Sequence, residues 1–298
     1  GSVKRYLTIF AQLVKFYLAL ESNSIIAIQY PMLNNVFKYF IKAARIKRAK
    51  FFCVVHDIES LRLGGQKKNL VSREAANLNY YDCLIVHNNY MRQWLKDKGI
   101  TTKIVSLGLF DYLLKEAPTT NNNINLLNTV VFAGNLAKSN FIYSLSEIPN
   151  WNFNVYGPNY KANKQQSPNV VWGGEYSPEE VVYKLKGNFG LIWDGEKIDE
   201  CDQVLGNYLR YNNPHKFSLY IAAGMPVIAP KDSAIAKIIT DLKIGILVDS
   251  LIDLERLQLN ESDYKVLQFN CRKVQNEIIN GNFFLTAISA AEKLLAAS

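Results

Sequence analysis

The segment from Asn212 to Pro230 constrains the fold more than any other part of this sequence. It runs Asn212-Asn213-Pro214-His215-Lys216, then apolar from Phe217 to Ala223, then Gly224-Met225-Pro226 and Val227 to Ala229. Pro214 suits the first position of a helix, because its missing N–H has no partner there and its φ is already helical. Gly224 suits the helix end, and Pro226 blocks continuation. A loop, a short helix, a sharp stop and a buried strand follow, with His215 and Lys216 in the first helical turn. Such a turn attracts anions, since free N–H groups and the positive end of the dipole lie there. Lys216 is a cation where the dipole disfavours one, so it needs an anionic partner, and a diphosphate fits. A lysine snorkelling from a surface helix is the competing explanation for an isolated residue. Context favours the first, because Phe189 to Trp193 reads as a buried strand that delivers Asp194 and Gly195 to its carboxyl end. Open α/β sheets bind ligands at such ends.

Similar strand-like runs recur along the chain: Ser24 to Gln29, Phe51 to Val55, Asp82 to Val86, Lys103 to Ser106, Asn128 to Phe132, Trp151 to Tyr156, Val170 to Trp172 and Gly245 to Val248. Helical spacing separates them, as in Tyr6, Phe10, Leu13, Phe16, Tyr17 and Leu20, and across Asn35 to Ala44. Strands alternating with helices predict parallel sheets, and 298 residues that are 49% hydrophobic are enough for two cores. Pro118 to Asn128, with five asparagines, reads as a linker. The expected architecture is α/β: two Rossmann-like doubly wound domains, residues 1–118 and 119–298, facing a central cleft. The final amphipathic helix, Phe283 to Leu295, would return toward the first domain. No strand precedes the first helix, so an N-terminal portion is expected outside these residues, and Gly1-Ser2 resembles a cloning remnant.

A net charge of +8 favours acidic partners. The four cysteines, Cys53, Cys83, Cys201 and Cys271, are widely spaced and form no metal-ligand pattern. They read as reduced thiols of a cytoplasmic protein. The apolar run Leu7 to Leu20 is interrupted by Gln12 and Lys15 and is too short to span a bilayer. No Walker A, GxGxxG, GxSxG or HExxH pattern occurs, which removes the main support for ATPase, dehydrogenase, serine hydrolase and zinc chemistry. The basic residues read as scattered rather than striped, so nucleic acid is not an expected partner. An anionic membrane surface suits the basic, aromatic first domain better.

The three histidines, His56, His87 and His215, each fall at a predicted strand end or helix start. His56-Asp57 is the leading pair for acid–base work on a sugar hydroxyl. Asp57 or Glu59 could equally cap the following helix. Gly134-Asn135 with Lys138 fits a strand-to-helix turn that lets backbone and cation approach a phosphate, although such turns are common. Tyr156-Gly157 and Trp172-Gly173 place rings at neighbouring strand ends, where they could flank a uracil, although aromatics in strands are more often core.

The runs FGLIWDGEKIDEC and GNYLRYNNPHKFSLYIAAGMPVIAP, together with VVHDIESLR, IVHNN, LFDYL and FAGNL, resemble bacterial β-1,6-galactofuranosyltransferases of O-antigen and surface polysaccharide assembly. The resemblance spans nearly the whole chain. More distantly, the chain is similar to the glucosyltransferases of serine-rich repeat adhesins. The resemblance implies a GT-B fold, a UDP-sugar donor held by the second domain, a glycan acceptor held by the first, and no required metal or other cofactor. On that basis Lys216 and Lys138 would neutralise the diphosphate beside Gly134 and Asn135. Asp194, Asn207, Tyr208, Asn213 and His215 would line the donor pocket, and His56 and Asp57 would face the reacting sugar. Many retaining GT-B enzymes carry paired glutamates where this chain has Tyr211 and Leu219. Their absence fits an inverting mechanism, with Asp57 the preferred base and His56 its competitor. The expected reaction is transfer of galactofuranose from UDP-galactofuranose to a glycan, lipid-linked in one version, by a protein in peripheral contact with the inner face of the cell membrane. The alternatives are a UDP-glucose or other UDP-hexose transferase, and a non-catalytic nucleotide-sugar-binding subunit.

Overall fold

A computed structural model describes residues 2–31, 35–64, 68–118, 128–164 and 167–297. The chain divides into two compact units, residues 1–107 with 285–298, and residues 108–284. Of the expected linker, residues 119–127 lie outside the described residues.

In the first unit, α1 (Ser2–Ala19), β1 (Ile25–Tyr30), α2 (Asn35–Ile46), β2 (Lys50–Val55), α3 (Glu59–Arg62), α4 (Lys68–Leu78), β3 (Cys83–Val86), α5 (Asn89–Asp97) and β4 (Lys103–Ser106) follow in order. The four strands are parallel and lie in the order β1-β2-β3-β4. Phe51 to Val55 and all of β3 are buried, and helix-covered parallel strands of this kind read as continuous apolar runs.

The second unit contains β5 (Thr129–Ala133), β6 (Asn152–Tyr156), β7 (Val170–Trp172), α6 (Pro178–Lys184), β8 (Phe189–Leu191), α7 (Gln203–Tyr208), α8 (His215–Ala222), β9 (Val227–Pro230), α9 (Ala236–Leu242), β10 (Gly245–Val248) and α10 (Glu261–Ile279). Its six parallel strands lie in the order β10-β9-β8-β5-β6-β7. Strand order therefore reverses between β5 and β8, which makes the crevice beyond their carboxyl ends the topological switch point. Side chains of β5 alternate as a strand requires. Val131 and Ala133 join the core formed with α8, whereas Val130 and Phe132 join the opposite core with Trp193 and Tyr264.

Helix α8 is seated directly on the sheet. A Cβ on Gly190 would lie 2.0 Å from Tyr220 Cγ, so only glycine lets the Tyr220 ring cross β8. The Tyr220 hydroxyl then accepts the N–H of Ala133 at the end of β5, at 2.8 Å. At the other end of the helix, Gln275 of α10 donates to Ala222 O at 2.7 Å.

Several details differ from the sequence expectation. Pro214 is the N-cap (φ −70, ψ 140) rather than the first helical residue, and the helix starts at His215. The proline's φ suits either position, and its extended ψ decides between them. Strand β8 stops at Leu191, two residues short of the expected Trp193; Ile192 N still donates to Ile228 O at 2.9 Å, and the Trp193 carbonyl accepts from Lys216 Nζ instead. The long α10 was not anticipated, since its buried Tyr264, Cys271, Val274 and Ile278 are spread thinly among polar residues. The last helix, α11 (Asn282–Ala296), is capped by the Asp111 carboxylate, which accepts from Phe283 N and Phe284 N. From Leu285 onward it belongs to the first unit, where Lys103 Nζ donates to Leu294 O at 2.9 Å.

Gly190→Ala should destabilise the chain by about 1–3 kcal/mol through overpacking against Tyr220. An unchanged urea midpoint would show that α8 is not seated in this way.

Candidate active site

The second unit assembles its cluster at the switch point. Lys216, in the first turn of α8, donates to Asp194 Oδ1 at 2.8 Å and to Trp193 O at 2.9 Å. Its ammonium lies 4.7 Å from the centre of the Phe132 ring. The lysine and aspartate side chains are only 13% and 21% exposed, so the pair is weakly screened. The anion that Lys216 requires is thus Asp194 within the chain. A lysine ammonium has three donors, and two are engaged here, which leaves the third available to a ligand.

The other side of the crevice is the turn after β5. Gly134 packs on the same Phe132 ring, a Cβ there lying 3.6 Å from Phe132 Cζ. Asn135 caps a short 3-10 turn by accepting the N–H of Ala137, and Asn159 Nδ2 donates to the same oxygen at 3.1 Å. Lys138, at the end of that turn, is exposed. Gly157 (φ +130) is needed for close approach, because a Cβ there would lie 1.9 Å from Gly134 O. Neighbouring Cys201 is not a nucleophile, since burial pushes its thiol up to about 12.

The remaining expected donor residues are placed differently. Tyr156 is buried beneath Gly173 and its hydroxyl accepts from Lys186 N, so this ring is packed into the core. Asn213 is also buried and donates to Gly108 O, holding backbone rather than lining an open pocket. Tyr208 is buried, while Asn207 is exposed and donates to Gln203 O in its own helix. His215 is exposed, its ring 4.4 Å from that of Phe110. Trp172 is 47% exposed on the edge strand β7, stacked parallel on Tyr160 and held by a bond from its Nε1 to Gly157 O.

In the first unit, β2 delivers His56 and Asp57 to its carboxyl end. Asp57 accepts from Arg62 Nη1 at 3.1 Å, both side chains being partly exposed. His87, buried at the end of β3, is 3.0 Å through Nε2 from His56 O. A carbonyl only accepts, so this nitrogen carries the proton.

Neither Asp57 nor Glu59 caps α3, whose N-cap is Ile58 with no side-chain bond. That work falls to Glu74 of α4. Its buried carboxylate accepts from Glu59 N at 2.9 Å, from Ser60 N at 3.0 Å, from the Ser60 hydroxyl and from the Tyr30 hydroxyl at 2.9 Å. Burial, and next the charge of Glu74, push the Tyr30 hydroxyl well above the usual tyrosine range. Sequence reasoning missed Glu74 because no local spacing links it to α3. It also missed Tyr220, although Tyr220 lies four residues after Lys216 and so shares its helix face.

These features place the chain among GT-B glycosyltransferases. Residues 4–109 match the family described as Glucosyltransferase 3-like, N-terminal domain, and residues 130–291 match its C-terminal domain. The chain belongs to this family and is a glycosyltransferase. It is 29% identical over 289 residues to the β-1,6-galactofuranosyltransferase WbbI of Escherichia coli (strain K12), covering 95% of this chain and 84% of that protein. It is 27% identical over 252 residues to glucosyltransferase 3 of Streptococcus gordonii, covering 82% and 71% respectively. Among solved structures, a trehalose-6-phosphate protein from E. coli bound with UDP-2-fluoro glucose shares the fold with a TM-score of 0.61 at 11% identity, covering 97% of this chain and 77% of that one.

Glu74→Gln should lower stability by at least about 2 kcal/mol, since charge-assisted bonds from four donors are weakened and an amide N–H faces donors. Thermal denaturation with an unchanged midpoint would show that Glu74 does not hold α3.

Proposed function

We propose that this chain is an inverting glycosyltransferase that moves galactofuranose from UDP-galactofuranose to a glycan acceptor in surface polysaccharide synthesis. The observation that carries the donor assignment is the Lys216 ammonium, fixed at the switch point with one N–H unengaged. In that position it suits a diphosphate, and exposed Lys138 supplies a second cation across the Gly134-Asn135 turn. Two lysines can offset the charge that develops on the departing UDP, so the reaction is proposed to proceed without a metal.

In the reaction, the acceptor hydroxyl gives its proton to the Asp57 carboxylate, which Arg62 orients. The hydroxyl oxygen bonds to the anomeric carbon as the bond from that carbon to the β-phosphate oxygen breaks, and UDP leaves. In-line displacement inverts the anomeric centre. Tyr211 and Leu219 support the single displacement, because neither can act as the carboxylate found there in many retaining enzymes. Galactofuranose is favoured by the similarity to WbbI over most of both chains. The glucosyltransferase relative supports a UDP-glucose donor as the second reading. A lipid-linked glycan is the proposed acceptor, which would bring the protein into peripheral contact with the inner face of the cell membrane.

Turnover should be seen with UDP-galactofuranose, and not with UDP-glucose or UDP-galactose, on a panel of simple glycosides, and EDTA should leave it unchanged. Turnover with UDP-glucose alone would move the protein to the second reading. Retention of UDP without turnover of any donor would make it a binding subunit. Lys216→Ala should weaken UDP binding by at least about tenfold, since a charge-assisted contact contributes about 1.5–3 kcal/mol. Asp57→Asn should leave UDP affinity intact and lower turnover by about a hundredfold, and near-normal turnover would transfer the base role to His56.

A further inference from the structure

We propose that the outer faces of α1 and α2 dock this protein on an anionic phospholipid bilayer, in the plane of the interface. Residues 1–50 contain nine Lys or Arg and a single acid, Glu21. The whole chain has 34 basic and 26 acidic residues, so residues 51–298 hold 25 of each, and the entire +8 sits in the first sixth of the chain. The charge is therefore concentrated and not scattered, which only a count by segment reveals.

The same segment exposes apolar side chains in register. On α1, Ile9, Leu13 and Tyr17 are partly buried, while Leu7, Phe10, Val14 and Leu18 are 41–74% exposed. At about 100° per residue those four cover about 80° of the helix surface, which makes a second apolar stripe beside the packed one. Exposed Lys15 flanks it. On α2, Tyr39 and Ile46 are 71% and 79% exposed and share a face with exposed Lys42 between them. The two helices pack together through Phe16 and Phe40, whose ring centres are 5.6 Å apart. Apolar stripes bordered by lysines suit the boundary of headgroups and acyl chains, and anionic lipid attracts each cation. No helix among the described residues is long and apolar enough to cross a membrane, so the contact is one of lying on the surface.

Charge decides the occupant. A two-fold contact with a second copy would set this basic segment against itself. Nucleic acid would want a run of stacking rings, whereas the α1 stripe carries one ring, Phe10, among Leu7, Val14 and Leu18. The proposal rests on the peripheral-contact part of the reading above and holds whichever sugar is transferred.

Flotation of the chain with vesicles of phosphatidylcholine alone, or mixed with phosphatidylglycerol, tests this without any sugar substrate. Binding is expected only to the mixed vesicles and should be lost at about 0.5 M salt, where charges are screened. Lys15→Glu with Lys42→Glu, and separately Phe10→Ser with Ile46→Ser, should each weaken vesicle binding at least about tenfold while turnover on a soluble acceptor is kept. No binding to the mixed vesicles, or equal binding by the variants, would overturn the proposal. So would a dimer in sedimentation velocity that Phe10→Ser dissociates. Flotation without turnover would instead count against the transferase reading alone.

Discussion

The contact between Lys216 and Asp194 is the one on which the second unit's site depends. It joins the start of α8 to the end of β8, and it does so at the crevice where strand order reverses. Four residues further along the same helix face, Tyr220 holds the end of β5 through Ala133 N. One short helix therefore fixes both strand ends that border the crevice. Gly190 makes this possible by leaving room for the Tyr220 ring. A donor diphosphate would meet an ammonium already oriented by two oxygen acceptors and an aromatic face, so little side-chain freedom would be lost on binding.

The first unit uses a different device at its own strand end. A residue distant in sequence, Glu74, supplies the cap that α3 lacks, and so orders the loop that carries His56 and Asp57. Asp57 keeps its carboxylate at the surface with Arg62 as its partner. The buried carboxylate is structural and the exposed one is accessible. That division suits the proposed role of Asp57 as proton acceptor.

Much of the fold was legible in the sequence because buried parallel strands must be apolar throughout. Phe51 to Val55 and Val227 to Ala229 announce themselves, and His56 after the first and Pro230 after the second mark where each apolar run ends. Lys216 was legible for a related reason, a cation standing where the helix dipole repels one. Its partner was not, since Asp194 lies 22 residues away and only the seating of α8 brings the two together. The burial of Tyr156 and Asn213 was not legible either. A strand-end tyrosine or a loop asparagine looks the same in sequence whether it faces a ligand or closes a core, and burial separates the two. Helix α10 escaped notice because its packed face is narrow and its other residues are polar.

The most direct test of the central claim is a structure of the chain with UDP. The account predicts a diphosphate oxygen within about 2.7–2.9 Å of Lys216 Nζ, the length of a charge-assisted bond, with the contacts to Asp194 or Trp193 kept or exchanged. UDP bound elsewhere, with Lys216 still held only by Asp194 and Trp193, would contradict it.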